Sequence, residues 1–372
     1  MHNIIKLSLS LNITRPNQLS TPSTPSATPS SYHYDANGDL VLPEKILVSN
    51  RDDCFGFKLA KPLKDWEHKL EQLTYPLVAE QKLDGIRCQI ILALNRTRRS
   101  IRAWAYTRNG NRLHSIDHIV SEMESLFNWS SAIDNIFHRD YDYLSLDGEL
   151  QLRVPNAPFR IVNGLANRSA TDDESRQLHF HIYNMYYLSQ RLSPLHQVDK
   201  TQYYNYLAYL GYENATTFRR IDESYFVYGV DALKSLIAEH QACGSEGLII
   251  KDPYESATNH RTTEWQKIKF KRRGTFRLAE IVEGDGKCFG TTGAIVVADS
   301  NGTRSRVGTG FTDAERNELY LLAGECHRRL ILVEIEYLAL TKGSLREAVY
   351  CGLRKDIEPS ESAIDEFKDR GE

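Results

Sequence analysis

The chain has 372 residues, 41% of them hydrophobic and 26% charged, with a formal net charge of -3. That length accommodates two domains, and the composition is that of an ordinary globular protein. No apolar run approaches the roughly 18 residues that a membrane helix needs, and no global basic field advertises nucleic acid, although a local basic face would suffice for binding it. The six cysteines are scattered without C-x-x-C spacing. Such thiols fit a reducing cytoplasm and exclude a disulfide framework or a zinc ribbon.

In chain order, residues 1–41 read as an extension, with Pro16 to Ser31 rich in Pro, Ser and Thr and expected to be disordered. Order is expected to begin near Leu42. Trp66, Leu70 and Leu73 lie at helical spacing. Strands are expected over Cys88 to Leu94, Ile101 to Tyr106, Tyr143 to Leu152 (broken at Asp147-Gly148), Phe180 to Leu188, Leu248 to Lys251 and Trp265 to Phe270. Helices are expected over Ile116 to Phe127, Leu195 to Leu210 and Asp231 to Ala242. Strands and helices interleave without a clean βαβ repeat, which favours α+β. After Lys271-Arg272-Arg273-Gly274 come five short β-rich segments with a helical stretch, Asp313 to Leu330, among them. That pattern suits a small OB-type barrel. The expected division is 42–273, 274–358 and a charged tail over 359–372, with a hinge near Arg273-Gly274.

The sharpest local signal is Glu80-Gln81-Lys82-Leu83-Asp84-Gly85-Ile86-Arg87, which contains K-x-D-G-x-R. A lysine nucleophile must be neutral to attack phosphorus, and its free pKa is about 10.4, so desolvation or adjacent positive charge is required. Arg87 and a bound cation could supply that charge. Further along, Lys267 and Lys269 alternate onto one face of a strand, where like charges repel unless they share an anion such as a triphosphate.

These residues resemble the lysine-adenylating nucleotidyltransferases, the superfamily of ATP-dependent DNA ligases, RNA ligases and capping enzymes. Its motifs follow in order over about residues 55 to 358: Lys82-Leu83-Asp84-Gly85, Arg108-Asn109-Gly110, Asp147-Gly148-Glu149, His181-Ile182-Tyr183-Asn184-Met185, Glu246-Gly247-Leu248-Ile249-Ile250-Lys251 and Trp265-Gln266-Lys267-Ile268-Lys269. The resemblance implies an adenylation domain of antiparallel sheets and helices followed by an OB-fold barrel. It implies ATP as cosubstrate, with Lys82 carrying AMP. Glu80, Arg87, Arg108, Glu149, Tyr183, Lys251, Lys267, Lys269 and Arg354 are the expected nucleotide contacts, Tyr183 stacking on adenine. Glu149 and Glu246 are the expected ligands of Mg2+ or Mn2+. Gly352-Leu353-Arg354-Lys355-Asp356 resembles the last ligase segment, although Ile357 stands where many relatives have lysine.

The compact layout is most similar to small bacteriophage-type DNA ligases, which implies a cytoplasmic monomer acting on nicked duplex DNA. Lys271, Arg272, Arg273, Arg304, Arg306 and Arg346 are candidate contacts to the DNA backbone. An RNA ligase shares the nucleotide pocket and is the enzyme alternative. A non-catalytic nucleic-acid-binding protein of the same fold is the other.

Overall fold

The computed structural model describes residues 4–6, 33–36, 40–49, 55–129, 136–137, 142–154, 157, 159–189, 192–198, 206–207, 215–220 and 224–368. Two compact units divide them: Met1–Ile237 with Leu248–Ile268, and Ala238–Gly247 with Lys269–Glu372. The second unit thus begins before residue 273.

The first unit is built on two sheets. One has the strand order Ile4–Lys6, Ser224–Val227, Leu77–Gln81, Gly247–Lys251, Arg261–Lys269 and Leu59–Pro62. The other runs Pro194–Gln197, Leu178–Leu188, Tyr143–Leu152, Ile86–Asn95 and Ser100–Thr107, with Phe218–Arg220 added in parallel to Leu178–Leu188. Pairing is otherwise antiparallel through this second sheet. Alternation along Ile86–Asn95 sends Cys88, Ile90, Leu92 and Leu94 to one face, where they pack with helix Asp117–Trp129 residues Ile119, Val120, Met123 and Phe127. The opposite positions Ile91 and Ala93 meet Trp104, Tyr106 and the segment carrying Leu40, Leu42, Ile46, Phe55 and Phe57. Both faces of the strand are therefore covered, which accounts for its almost unbroken apolar reading.

Several expectations change. Trp66 and Leu70 open two successive 3-10 turns, Trp66–His68 and Leu70–Gln72, rather than an α-helix. The backbone bonds Lys69 to Trp66 and Leu73 to Leu70 are of the i to i+3 kind. Tyr143–Leu152 runs unbroken, with a register shift between Asp147 and Gly148. Asp-Gly reads as a turn from sequence, but here the buried Asp147 carboxylate is satisfied by Arg87. Pro194–Gln197 is a strand folded back on Tyr186–Leu188, where helix was expected; the rest of that expected helix lies largely outside the described residues. The extension is not wholly unstructured: Ile4–Lys6 pairs antiparallel with Ser224–Val227, and His33–Tyr34 pairs with Leu40–Val41. Pairing of Ile4–Lys6 covers a sheet edge that would otherwise expose its backbone groups. The stretch Pro16 to Ser31 lies outside the described residues.

In the second unit, five strands run in the order Arg304–Val307, Thr292–Ala298, Arg272–Glu283, Leu332–Tyr337 and Val349–Leu353, all antiparallel. Helix Asp313–Leu321 is inserted among them, started by Thr312 and Glu315 in a reciprocal capping box. It ends earlier than expected, because i to i+3 bonds tighten the chain at Leu322 and Ala323 just before Gly324. Arg273 and Gly274 lie inside a strand, in register with Glu336 and Ile335, so the place expected to hinge is part of a ladder. The expected charged tail is packed over its described part. Ile364 is 8% and Phe367 6% exposed, and Phe367 packs on Phe276 with ring centroids 4.8 Å apart. Apolar residues among the charges of 359–368 carry that segment into the core, a signal that composition averaged over the tail conceals.

Candidate active site

In the first unit a cavity of about 210 Å3 opens where the two sheets come together, and Lys82 lies on its lining. Lys82 stands in the loop between strands Leu77–Gln81 and Ile86–Asn95. The loop is pinned by backbone proximity: a Cβ on Gly85 would lie 2.1 Å from the carbonyl oxygen of Leu150. The strand opposite has the same requirement, since a Cβ on Gly148 would lie 2.3 Å from the carbonyl oxygen of His181. Any side chain at either position must push apart the backbones that bring Lys82 toward Glu149. In the ladder, Arg87 is directly opposite Glu149 and Glu149 is opposite His181.

Of the residues expected to contact nucleotide, Glu80, Lys82, Arg87, Arg108, Glu149, Tyr183, Lys251 and Lys267 all line this one cavity. They come from separate strands, from the loop carrying Lys82 and from the Asn109-Gly110 turn, where Gly110 has φ 76. With Arg261, the lining carries six cationic side chains against the carboxylates of Glu80 and Glu149. A cavity so charged suits a polyphosphate.

The cations are held in different ways. Arg87 forms a fork with Asp147, Nη2 to Oδ2 at 2.5 Å and Nε to Oδ1 at 3.1 Å. Burial works against its charge, but Asp147 more than offsets this and raises its pKa. Three rings surround the guanidinium: Phe57 at 5.2 Å, Trp265 at 5.6 Å and Tyr183 at 5.7 Å to the centroids. Lys251 Nζ meets the Glu80 carboxylate at 2.5 Å with both side chains 2% exposed, and Ser224 Oγ donates to Glu80 at 3.1 Å. Glu80 therefore reaches the cavity as the counter-ion of Lys251. Lys251 also lies 4.2 Å from the Trp265 ring and 5.1 Å from Tyr183. Burial pushes the Tyr183 hydroxyl well above the usual phenol range, so it stays protonated. Arg108 has its pKa lowered by partial burial and by the positive charge of Arg87 and Arg261.

Asp147, Trp265, Ile249, Arg261 and Lys58 were not singled out as site residues from sequence. Asp147 stood in view within D-G-E, beside the Glu149 that drew attention. Trp265 stood in view within W-x-K-x-K. Nothing short of the fold brings Lys58 to them.

Glu246, Lys269 and Arg354 fall in the second unit. There Lys269 Nζ is held by both Glu347 carboxylate oxygens, at 2.5 and 2.7 Å, and lies 4.0 Å from Glu246, which is 2% exposed. Arg354 makes a fork with Asp356, both bonds 2.8 Å, and donates to Thr275 Oγ1 at 2.6 Å. The expected DNA contacts are largely matched by acids: Lys271 with Glu336 at 2.7 Å, Arg273 with Glu336 at 3.3 Å and Arg304 with Glu280 at 3.1 Å. Arg306 is exposed and Arg346 half-buried. These pairs make the strands around Lys271 a mixed-charge surface, where the sequence alone suggested a basic one.

His181, opposite Glu149, has its pKa lowered to about 4 by burial and by Arg219. A histidine held neutral in the fold takes up its proton more readily when unfolded, so its contribution is complete above about pH 6.5 and is lost as pH falls toward 4. The loss from this residue should reach about 2 kcal/mol at pH 5. Urea midpoints at pH 7 and 5 check it: His181→Gln should show a visibly smaller acid loss than the unaltered chain, and an equal loss would refute the assignment.

Residues 58–269 match the family described as ATP dependent DNA ligase domain, and residues 283–354 match the DNA ligase OB-like domain. The DNA ligase of Escherichia phage T7 is 25% identical over 228 residues, covering 52% of this chain and 59% of the phage protein. The matched stretch thus spans little more than half of that relative. Among solved structures, the one titled "Pmar-Lig_PreS3" superposes with a TM-score of 0.61 at 24% identity, covering 81% of this chain and 68% of its own. A structure described under Lig E DNA ligases superposes at 0.54 with 20% identity, covering 80% and 99%. These superpositions establish the fold, an α+β adenylation unit followed by an OB-like unit. With 212 of its 372 residues inside the first match, the chain belongs to the family of ATP-dependent DNA ligase domains.

Proposed function

We propose that this chain is an ATP-dependent DNA ligase, acting as a monomer, that carries AMP on Lys82 and seals nicks in duplex DNA. The observation that carries the reading is the cavity itself. It places an amine on a glycine-pinned loop among cations from distant parts of the chain, beside the aromatic wall of Tyr183 and Trp265.

In the first transfer the Lys82 amine forms a bond to the α-phosphorus of ATP, the bond to the β-phosphate oxygen breaks, and pyrophosphate leaves. The amine proton goes to solvent. Arg108, Lys251 and Lys267 neutralise the phosphates as charge builds on their oxygens, while Tyr183 and Ile249 receive the adenine. AMP then passes to the 5′-phosphate of a nick, and the 3′-hydroxyl displaces it. Arg87, already forked to Asp147, shapes the pocket more than it adds free charge. Glu246, Lys269 and Arg354 are proposed to take part from their positions in the ligase motifs.

Among the described residues no group of three or more His, Cys, Asp or Glu side chains forms a cage for a metal. The Glu149 carboxylate, on a cavity suited to phosphates, is nevertheless a hard oxygen donor of the kind Mg2+ accepts and would hold it together with substrate phosphate oxygens. When bound, such an ion, or Mn2+, would offset phosphate charge.

The test is a mass measurement followed by an acceptor assay. Incubated with ATP and Mg2+, the protein should gain one AMP, and the adduct should be consumed by nicked duplex DNA with appearance of sealed strand. No adduct with either metal overturns the reading, and preference for RNA on both sides of the nick reassigns the chain to RNA joining.

A further inference from the structure

Trp265 is 3% exposed and lies among three cations: Lys251 at 4.2 Å, Lys58 at 5.6 Å and Arg87 at 5.6 Å from its ring centroid. Two of these, Lys251 and Arg87, line the nucleotide cavity; Lys58 does not. Lys58 is fully buried instead, with Nζ 2.8 Å from Glu255 and 2.6 Å from Glu264, and it donates to the carbonyl oxygen of Ser256 at 2.8 Å. Glu255 is 5% exposed at its side chain and accepts the indole N–H of Trp265.

The arrangement is costly for a merely structural one. Burying Lys58 and Glu255 loses their hydration, and a buried ion pair is weak evidence of stabilisation, because well-packed apolar side chains often serve as well. A phenylalanine would fill the space of a wall without needing a buried acid. What the pair adds is direction. The indole N–H fixes the rotation of the ring, and the ring plane decides where its negative face lies. Lys251 and Arg87 both lie over this ring.

We propose that Glu255 and Lys58 are positioning residues for nucleotide binding, acting through Trp265 to hold Lys251 and Arg87 where the phosphates of ATP will lie. The inference rests on the ligase reading and adds to it a chain of contact from the buried Lys58 to the cavity. Glu255 aims the indole, Lys58 holds Glu255 in place, and the indole ring aligns the two cations. Neither Glu255 nor Lys58 lines the cavity.

ATP affinity, measured calorimetrically in a Lys82→Ala background so that no adduct forms, reads this directly. Glu255→Gln and Trp265→Phe are each expected to weaken ATP about tenfold. Combined, they should weaken it no further, because Glu255 acts only through the indole N–H that phenylalanine lacks. Glu255→Asp keeps a charge near Lys58 but withdraws the acceptor from the indole. It should lose affinity like Glu255→Gln while holding the thermal midpoint of the parent, and it serves alone if the glutamine variant fails to fold. With Lys82 restored, Glu255→Asp should raise the KM for ATP while changing the maximal rate of adduct formation by less than about threefold. Unchanged affinity in the aspartate variant, or additive losses in the double variant, overturns the relay. Failure of the unaltered chain to form an adduct, with no ATP uptake by Lys82→Ala, brings down the functional reading and the relay together; the Glu255 results alone bring down only the relay.

Discussion

Replacing Lys82 by arginine should abolish the AMP adduct while leaving the fold and ATP binding in place. Arginine is a cation on the cavity lining, but its guanidinium stays protonated and offers no free electron pair to phosphorus. Lys82 sits in a half-buried loop outside the hydrophobic clusters, so the change in stability should stay within about 0.5 kcal/mol. The loss should be confined to the first transfer. Supplied with a nick whose 5′ end already carries AMP, the arginine variant should still join the strands, since the amine is not the nucleophile of that step. Mass measurement reads the adduct, and a gel assay on pre-adenylated DNA reads the joining. An adduct on the arginine variant would show that another side chain carries AMP.

The site was legible in sequence where chemistry and chain position coincide. Lys82, Glu149, Tyr183, Lys251 and Lys267 each stood in a short motif, and all five line one cavity. Their supports were less legible because they act through partners far along the chain. Asp147 matters because Arg87, 60 residues away in sequence, reaches it diagonally across the ladder, where Arg87 is opposite Glu149 and Asp147 opposite Gln89. Lys58 and Glu264 meet across 206 residues. The long strands declared themselves by runs of apolar and β-branched residues. Several of the misread elements were local ones: two 3-10 turns, an Asp-Gly pair inside a strand, and a helix stopped before Gly324. In each, a local preference was overruled by one tertiary contact or by a tighter hydrogen-bond pattern that periodicity does not encode.

The C-terminal segment, which reads from sequence only as a charged tail, sets the other large effect. A chain ending at residue 358 should lose cooperative folding of the OB-like unit. The described part of the segment adds two anchors to a small core, Ile364 and Phe367, the latter edge-on to Phe276. It also supplies polar bonds: the Thr275 N–H donates to the Asp365 carboxylate at 2.7 Å, the Asp365 N–H to the Thr275 carbonyl at 2.8 Å, and the Ser300 N–H to the Asp365 carbonyl at 3.2 Å. Losing a buried aromatic costs about 3–5 kcal/mol and a buried isoleucine about 2–5. Together these match or exceed the lower part of the roughly 5–15 kcal/mol that holds a domain together. Phe367→Ala alone should therefore lower the thermal midpoint by several degrees. The truncated chain should show a first-unit transition and no second one in calorimetry. The same scan separates the two units' duties: a truncated protein that keeps both transitions would mean the segment only rests on a core already complete without it.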